Sequence, residues 1–184
     1  MDLDKAIKER RSIRKFSHKK TDWRDVVECI DVARYAPMAG DNFSLRFVVV
    51  ADKGKIQRIA DACQQDFVAT AHHLIVVCSD TGRTVNLYGK AGETYAKQQA
   101  GAAIQNILLK IEEKKLATCW VGYFVAGQIR RELGIPDNVQ VEAVLPIGYS
   151  YEKKKSPRKT NIDNILYFEK YGSKKMGSPK GLDV

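Results

Sequence analysis

The sequence contains no long apolar run, and this absence excludes a protein that spans a membrane with helices. None of its 184 residues belongs to a stretch approaching the roughly 20 apolar residues that such a helix requires. The N-terminus, Met1-Asp2-Leu3-Asp4-Lys5, lacks the apolar core of a signal peptide. With 44% hydrophobic and 29% charged residues, the composition is typical of one globular domain, and we expect a cytoplasmic protein without membrane contact.

Cysteine and histidine are scarce, and their spacing does not indicate a metal site. The four cysteines have apolar neighbours and no C-x-x-C spacing, which favours buried free thiols. They are Cys29, Cys63, Cys78 and Cys119. The histidines have no zinc-ligand spacing to these cysteines, so no metal is expected. His72 and His73 precede an apolar run, and we interpret both as structural.

The net charge of +9 comes from the two ends of the chain. Residues 1–24 carry a net charge of +5 and residues 150–184 another +5, whereas the middle carries −1. Two explanations are open at this point. The ends could form a nucleic-acid surface, or they could converge on one anionic ligand.

The densest basic segment is Arg10-Arg11-Ser12-Ile13-Arg14-Lys15-Phe16, directly after an amphipathic run over 3–9. Each guanidinium group can form two parallel hydrogen bonds to phosphate oxygens, and Ser12 can donate to the same anion. An isolated segment of this kind is usually a solvated turn. Its function therefore depends on what the rest of the chain supplies.

Hydrophobic periodicity predicts helices that alternate with short strands. The predicted helices cover 22–35, 54–69, 93–115 and 128–133, with Thr21 as the N-cap of the first. The predicted strands cover 47–51, 74–78, 117–123 and 139–145. Residues 80–92 contain three glycines among residues of mixed polarity, which predicts an irregular connection. Beyond residue 150 too few apolar residues remain for a separate core.

The longest predicted helix has a midsection of small residues, Ala100-Gly101-Ala102-Ala103. Small side chains allow another backbone to approach closely. The helix can therefore serve as core, as an interface, or as both.

Six motifs, in this order, resemble those of the FMN-dependent nitroreductase family, and the likeness extends over 1–171. They are Arg10-Arg11-Ser12-Ile13-Arg14-Lys15-Phe16; Ala36-Pro37-Met38-Ala39-Gly40 with Arg46-Phe47-Val48-Val49-Val50; Ala103-Ile104-Gln105-Asn106-Ile107-Leu108-Leu109; Cys119-Trp120-Val121-Gly122; Leu133-Gly134-Ile135-Pro136; and Leu145-Pro146-Ile147-Gly148-Tyr149 with Pro157-Arg158-Lys159. Each motif alone is weak, but the whole set in the family's order is specific.

The resemblance implies an α+β fold with a central mixed, mostly antiparallel sheet flanked by helices. It also implies a homodimer in which a C-terminal segment is exchanged and adds to the partner's sheet. Residues 1–171 would form one FMN-binding domain. Residues 172–184 would form a basic tail that is flexible or packed on the partner subunit.

The same resemblance implies a flavin site and its residues. The FMN phosphate would be held by Arg10, Arg11, Ser12 and Arg14, with Arg158 or Lys159 arriving from the other end of the chain. A loop from the other subunit and a turn beside the isoalloxazine edge would supply the remaining contacts. These are Pro37, Met38, Ala39 and Asp41 in the loop, and Val121, Gly122 and Tyr123 in the turn. Candidates for the substrate pocket are Phe43, Tyr123 and Phe124.

A few positions depart from the family pattern. The family loop often reads S-A-G-N-x-Q-P-W, whereas Asp41 replaces its Asn here, and Phe43 and Leu45 replace its Gln and Trp. Gln99 stands where an Asp is common in the long helix. FMN binding is still expected, but the substrate cannot be inferred from the likeness.

The activity implied by the resemblance is that of an FMN-dependent NAD(P)H oxidoreductase. It would reduce nitroaromatic, quinone or similar small-molecule acceptors by ping-pong hydride transfer through flavin N5, without a catalytic side chain. The sequence contains no Rossmann glycine fingerprint, so it does not indicate whether NADH or NADPH is the donor.

Two alternatives to this activity stay open. One is a different flavin reaction on the same fold, such as reductive dehalogenation or desaturation. The other is a basic nucleic-acid-binding module. The second is disfavoured, because no aromatic stacking surface is interleaved with the charges, and we therefore expect no nucleic-acid partner.

Overall fold

The computed structural model describes residues 1–151 and 158–176, which fall into two compact units, Met1–Lys154 and Lys155–Val184. The helices of the first unit are α1 (Leu3–Glu9), α2 (Trp23–Asp31), α3 (Lys53–Cys63), α4 (Gly82–Tyr88), α5 (Ala91–Glu113) and α6 (Ala126–Leu133). Its strands are β1 (Leu45–Val50), β2 (His73–Asp80), β3 (Ala117–Thr118) and β4 (Val139–Gly148). Short 3-10 helices cover Val32–Tyr35, Ala39–Asp41 and Asp66–Thr70.

The four strands form one sheet in the order β1-β2-β4-β3, and every neighbouring pair is antiparallel. On β2, Val77 faces Phe47 of β1, and Ile75 faces Leu145 of β4. The α+β class predicted from the sequence is confirmed. Within the described residues, the parallel part of the predicted mixed sheet is a single bridge between Ser12 and Thr118.

Apolar clusters cover both faces of the sheet, because successive side chains of β2 point to opposite faces. Leu74 and Val76 join the cluster under α3 and α6, whereas Ile75 and Val77 join the cluster under α2 and α5. All of β2 except Asp80 is buried. Burial on both faces explains why this strand is a continuous apolar run in the sequence.

The predicted cap of the first long helix is wrong. Asp22, and not Thr21, caps α2, because its carboxylate accepts the N–H of Arg24 at 2.8 Å. Thr21 is buried, and its hydroxyl lies 2.6 Å from Nδ1 of His73. Both residue types are good N-caps, so the sequence alone could not choose between neighbours.

The helix predicted over 54–69 consists of two elements. α3 ends at Cys63, because Gln64 adopts a left-handed conformation with φ of 54°. The N–H of Gln64 donates hydrogen bonds to the carbonyls of Ala60 and Asp61 and so closes the last turn of α3. Apolar spacing continues into the 3-10 helix that follows, which concealed this break in the sequence.

The irregular connection predicted over 80–92 is also wrong, because the segment contains α4 and the start of α5. Gly89 ends α4 with φ of +56°, and Gly92 lies where α5 packs against the backbone of Thr84. These glycines mark a helix end and a close helix contact. Glycine content alone does not distinguish those roles from a loop.

The strand predicted over 117–123 is shorter in the structure. β3 contains only Ala117–Thr118, and Val121 then pairs with Val144 of β4 in an isolated bridge. The other three predicted strands are present; β2 and β4 extend beyond the predicted residues, and β1 begins two residues earlier and ends one residue earlier than predicted.

The four cysteines are buried and free, as predicted. Burial raises the pKa of Cys29 to about 12 and the pKa values of Cys63 and Cys78 to about 11. These three thiols therefore stay protonated near neutral pH and are poor nucleophiles. Across the part of the chain that the structure describes, no helix has both the length and the apolar character needed to cross a membrane.

In the second unit, the described residues 158–176 include one short helix, α7 (Ile162–Ile165). Asn161 caps it by accepting the N–H of Asp163 at 3.0 Å. Lys174 donates to the carbonyls of Asp163 and Leu166. Ile162 and Ile165 are exposed, in keeping with the expectation that this segment cannot build its own core.

His73 makes the stability of the first unit sensitive to acid. Its pKa is lowered by burial first, and then by the nearby charges of His72 and Lys53. A histidine whose pKa is lower in the folded state stabilises the fold less as the pH falls below its ordinary value of 6.5. We therefore expect the free energy of unfolding to decrease between pH 7.5 and pH 5.5.

Urea titrations of the parent and of His73→Gln at these two pH values measure this effect. The variant should lose less stability than the parent between them, because glutamine does not titrate. An equal loss in both proteins would show that His73 does not contribute to the pH dependence.

Candidate cofactor site

The basic segment after α1 is fixed to the edge of the sheet by two buried residues, Ile13 and Phe16. The N–H of Ile13 donates to the carbonyl of Thr118 at 2.9 Å, and the Ile13 side chain is buried. Phe16 is also buried and lies directly over Gly148, where an added Cβ would come within 2.7 Å of its ring. These two anchors leave Ser12 and Arg14 exposed on the surface.

The arginines of this segment differ in what they contact. Arg11 donates from Nη1 to the carbonyls of Lys8 and Arg10, at 2.6 and 2.7 Å, and so closes the C-terminus of α1. The guanidinium group of Arg14 lies 6.0 Å from the centre of the Phe67 ring. Within residues 1–151, neither Arg10 nor Arg14 forms an ion pair with a carboxylate. These two cations are therefore available to an external anion.

Thr118 supplies an independent indication that a polar ligand belongs here. It is 3% exposed, and its hydroxyl is the only buried side-chain N or O atom without a hydrogen-bond partner among the described residues. It lies on β3, bridged to Ser12. Because an unsatisfied buried hydroxyl is costly, a hydroxyl-rich anionic ligand bound beside Ser12 fits the residues present.

The loop that precedes β1 has an unusual backbone. Gly40 and Asp41 are consecutive residues in the left-handed region, with φ of 59° and 51°. The left-handed conformation favours glycine at position 40, and a Cβ there would also lie 2.7 Å from the Tyr88 hydroxyl, which would have to shift. Asp41 is exposed. The loop thus presents a carboxylate from a strained turn next to α4.

A cleft of about 310 Å³ separates this loop from α5. Pro37, Met38 and Ala39 form one wall. Tyr95, Gln98, Gln99 and Ala102 form the other wall. The predicted flavin-contacting loop therefore borders an open cavity on the surface of the long helix.

The turn after β3 is anchored at one end and open at the other. Val121 is buried, and its N–H and carbonyl both bond to Val144 at 3.0 Å. Gly122 and Tyr123 are exposed, and Tyr123 keeps 67% of its surface accessible. Apart from its two chain neighbours, a Cβ added at Gly122 would meet only Nε1 of Trp120, at 3.9 Å, among the described residues. The turn can therefore accommodate a flat ligand close to its backbone.

The predicted substrate-pocket residues do not share one pocket within a single chain. Phe43 packs against the apolar cluster under α5, whereas Phe124 packs against the cluster under α3 on the opposite face of the sheet. Tyr123 is largely exposed. Their role in a substrate pocket stays a prediction.

Arg158 and Lys159 lie in the second unit, where both are exposed. Their predicted contact with the phosphate of FMN stays a prediction, as does the domain division at residue 171. Pro157 of the sequence motif lies outside the described residues, and so do residues 177–184 of the predicted tail.

Sequence reasoning missed two buried polar side chains at this site. Thr118 lies beside the Cys119-Trp120-Val121-Gly122 motif, but nothing in the sequence shows that its hydroxyl lacks a partner. Gln99 was noted only as a departure from the family, yet it accepts two hydrogen bonds from Ser44. A polar residue inside the apolar stripe of α5 is the signal that could have identified it.

Comparisons with known proteins relate this chain to one protein family. The family model described as Nitroreductase family matches residues 7–69 and 59–149. A protein of Archaeoglobus fulgidus named as an NADH dehydrogenase/NAD(P)H nitroreductase is 30% identical over 155 residues, which cover 82% of this chain and 86% of the relative. An iodotyrosine deiodinase of Thermotoga neapolitana is 23% identical, over 82% of this chain and 90% of its own length.

A solved structure shows the same fold. An FMN-dependent nitroreductase of Clostridium difficile superposes with a TM-score of 0.77 at 26% identity, covering 90% of this chain and 98% of its own. The family match extends from α1 to the end of β4 and includes the basic segment, the loop before β1 and the turn after β3. The chain belongs to the nitroreductase family.

Proposed function

We propose that this protein is an FMN-dependent NAD(P)H oxidoreductase that reduces nitroaromatic, quinone or similar acceptors. One observation carries the proposal. Arg10 and Arg14 are cations without carboxylate partners in residues 1–151, and Ser12 between them is bridged to Thr118, whose buried hydroxyl is unsatisfied. A phosphate-bearing cofactor with a polyol chain satisfies both features.

The residues of this chain would divide the binding of FMN among them. Arg10, Ser12 and Arg14 would hold the phosphate, with Arg11 ordering the segment through α1, and Arg158 or Lys159 would add charge. Pro37, Met38, Ala39 and Asp41 would contact the flavin of a partner subunit. Val121, Gly122 and Tyr123 would border the isoalloxazine edge. Bound FMN supplies hydride acceptance and donation at N5, so no side-chain nucleophile is required.

The proposal includes a homodimer. A groove of about 340 Å³ between α1 and α5 is lined largely by apolar residues, including Leu3, Val32 and Leu109. Leu3 and Ile7 of α1 keep 65% and 52% of their surfaces exposed. Exposed apolar area of this kind marks an interaction surface. A second copy of the chain would cover it and would bring the loop before β1 to the partner's flavin.

Gly101 of α5 gives a test of this dimer. It is half-exposed, and outside its own helical turn no atom of the described residues lies within 4 Å of a Cβ added there, so we expect the single chain to tolerate a larger residue. We expect Gly101→Arg to leave the fold intact and to weaken dimerisation at least tenfold. Sedimentation equilibrium measures the change.

The matched control is Gly127→Arg, which adds the same side chain to open space on α6. It should dimerise like the parent. A dimeric Gly101→Arg protein of parental affinity would place the interface elsewhere.

A second candidate is reductive dehalogenation, favoured by the likeness to the iodotyrosine deiodinase. Anaerobic stopped-flow separates the two reactions. Protein reduced by NADH or NADPH is mixed with a quinone, a nitroaromatic or iodotyrosine, and the return of the flavin absorbance is followed. We expect the quinone or nitroaromatic to react at least tenfold faster than iodotyrosine. The opposite order would select the dehalogenase, and slow reaction with all three would contradict the proposed acceptors.

A further inference from the structure

A buried polar network joins α4, α5 and the end of the loop before β1. Gln99 of α5 accepts at Oε1 from the backbone N–H of Ser44 at 3.0 Å and from its hydroxyl at 2.7 Å. Through Nε2, Gln99 donates to the carbonyl of Asn42 at 3.4 Å. The Asn42 amide in turn donates to the hydroxyl of Thr84 on α4 at 2.8 Å. Each of these four residues is less than 8% exposed.

The amide of Gln99 is chemically suited to this position. One of its atoms accepts two hydrogen bonds and the other donates one, whereas an ionised carboxylate could accept but could not donate to Asn42. Ala96, Ala100 and Ala103 surround position 99 on the buried side of α5. A polar side chain held there without its partners would be costly, so the side chain of Gln99 is strongly favoured in the conformation that makes these bonds.

The network holds the residues that follow the loop before β1 and so fixes the C-terminal end of this loop. Asn42 follows directly on Gly40 and Asp41, the two left-handed residues, and its N–H closes the loop onto the carbonyl of Ala39 at 3.2 Å. Gln99 also lines the cleft opposite Pro37 and Met38. Gln99 therefore contacts the buried end of the loop, and it also lines the cleft that the exposed part of the loop borders.

We propose that Gln99 is a positioning residue for the cofactor site. Its amide holds Asn42 and Ser44, and through them the conformation in which the loop Met38–Asp41 meets the flavin. The inference rests on the proposed function in one respect, namely that this loop contacts FMN. The hydrogen bonds between Gln99 and the end of the loop are made by the protein alone, so they can be tested in the apoprotein.

The test compares Gln99→Met, which keeps the side-chain volume and removes all three hydrogen bonds, with Gln105→Met on an exposed face of the same helix. The first readout is hydrogen–deuterium exchange of the apoprotein. In Gln99→Met, exchange of the peptide covering 38–45 should rise at least tenfold, because the Ser44 N–H loses its acceptor. Exchange in β2 and α3 should stay at the parental rate, and Gln105→Met should match the parent throughout.

The second readout is the dissociation constant of FMN, measured by the change in flavin fluorescence at a temperature where every variant is folded. We expect Gln99→Met to bind at least tenfold more weakly and Gln105→Met to bind like the parent. Ser44→Ala removes only the hydrogen bond from the Ser44 hydroxyl and should weaken FMN binding about threefold. It replaces Gln99→Met as the test variant if Gln99→Met does not fold.

The outcomes distinguish the two proposals. A Gln99→Met protein with parental exchange in 38–45 and parental FMN affinity would overturn the positioning role and leave the proposed function standing. Exchange that rises equally in all buried segments would also overturn it, since Gln99 would then serve overall stability only. A parent protein that binds no FMN would refute the proposed function and, with it, this inference.

Discussion

Arg10→Ala should weaken FMN binding by about 10- to 100-fold, since a hydrogen bond to a charged group contributes roughly 1.5–3 kcal/mol and 1.4 kcal/mol corresponds to a factor of ten. Within residues 1–151 this guanidinium has no carboxylate partner, so its loss should remove contacts to the ligand and few contacts to the protein. The melting temperature of the apoprotein should therefore change little.

The proposed contribution of Arg158 to phosphate binding is tested in the same way with Arg158→Ala, for which we expect a loss of similar size. Arg131→Ala is the control, because it removes one positive charge from an exposed position on α6. Isothermal titration with FMN at fixed salt measures all three. If Arg10→Ala and Arg158→Ala both bind FMN as Arg131→Ala does, these arginines do not hold the phosphate.

Gly92→Ala should cost about 2–3 kcal/mol of unfolding free energy, the range for forcing an extra methyl group into a packed interior. A Cβ at this position would lie 2.4 Å from the carbonyl oxygen of Thr84 and 2.7 Å from the Cα of Val85. These are backbone atoms of α4, so no side-chain rotation relieves the clash. α4 would have to move away from α5, and the contact of Tyr88 with Gly40 would move with it.

The control for this variant is Gly127→Ala, where the added methyl group meets nothing within 4 Å. Its higher helix propensity should stabilise α6 by up to about 1 kcal/mol. Urea unfolding of both variants provides the measurement. Gly92→Ala with parental stability would mean that α4 and α5 are not packed this closely.

Much of the fold was predictable because its signals are local or periodic. The apolar run of β2 and the stripe of α5 both follow from burial on known faces. The segment 80–92 was not predictable, because Gly89 and Gly92 act through a left-handed helix end and through a contact between two helices. Such contacts depend on tertiary structure, which composition does not encode.

Sequence motifs nominate the residues of the candidate site, but they do not predict how those residues are arranged. The motif around Arg10 indicated a phosphate site, but the use of Arg11 to close α1 depends on backbone geometry. The hydrogen bonds of Gln99 and the unsatisfied hydroxyl of Thr118 became visible only with coordinates. Phe43 and Phe124 pack against the clusters on opposite faces of the sheet, which the sequence pattern did not indicate.

The visible spectrum of the purified protein during titration with FMN tests the proposed flavin site most directly. We expect uptake of one FMN per chain, a flavin absorbance band that shifts on binding, and bleaching of that band when NADH or NADPH is added without oxygen. A protein that stays colourless after incubation with FMN and filtration would contradict the proposed function.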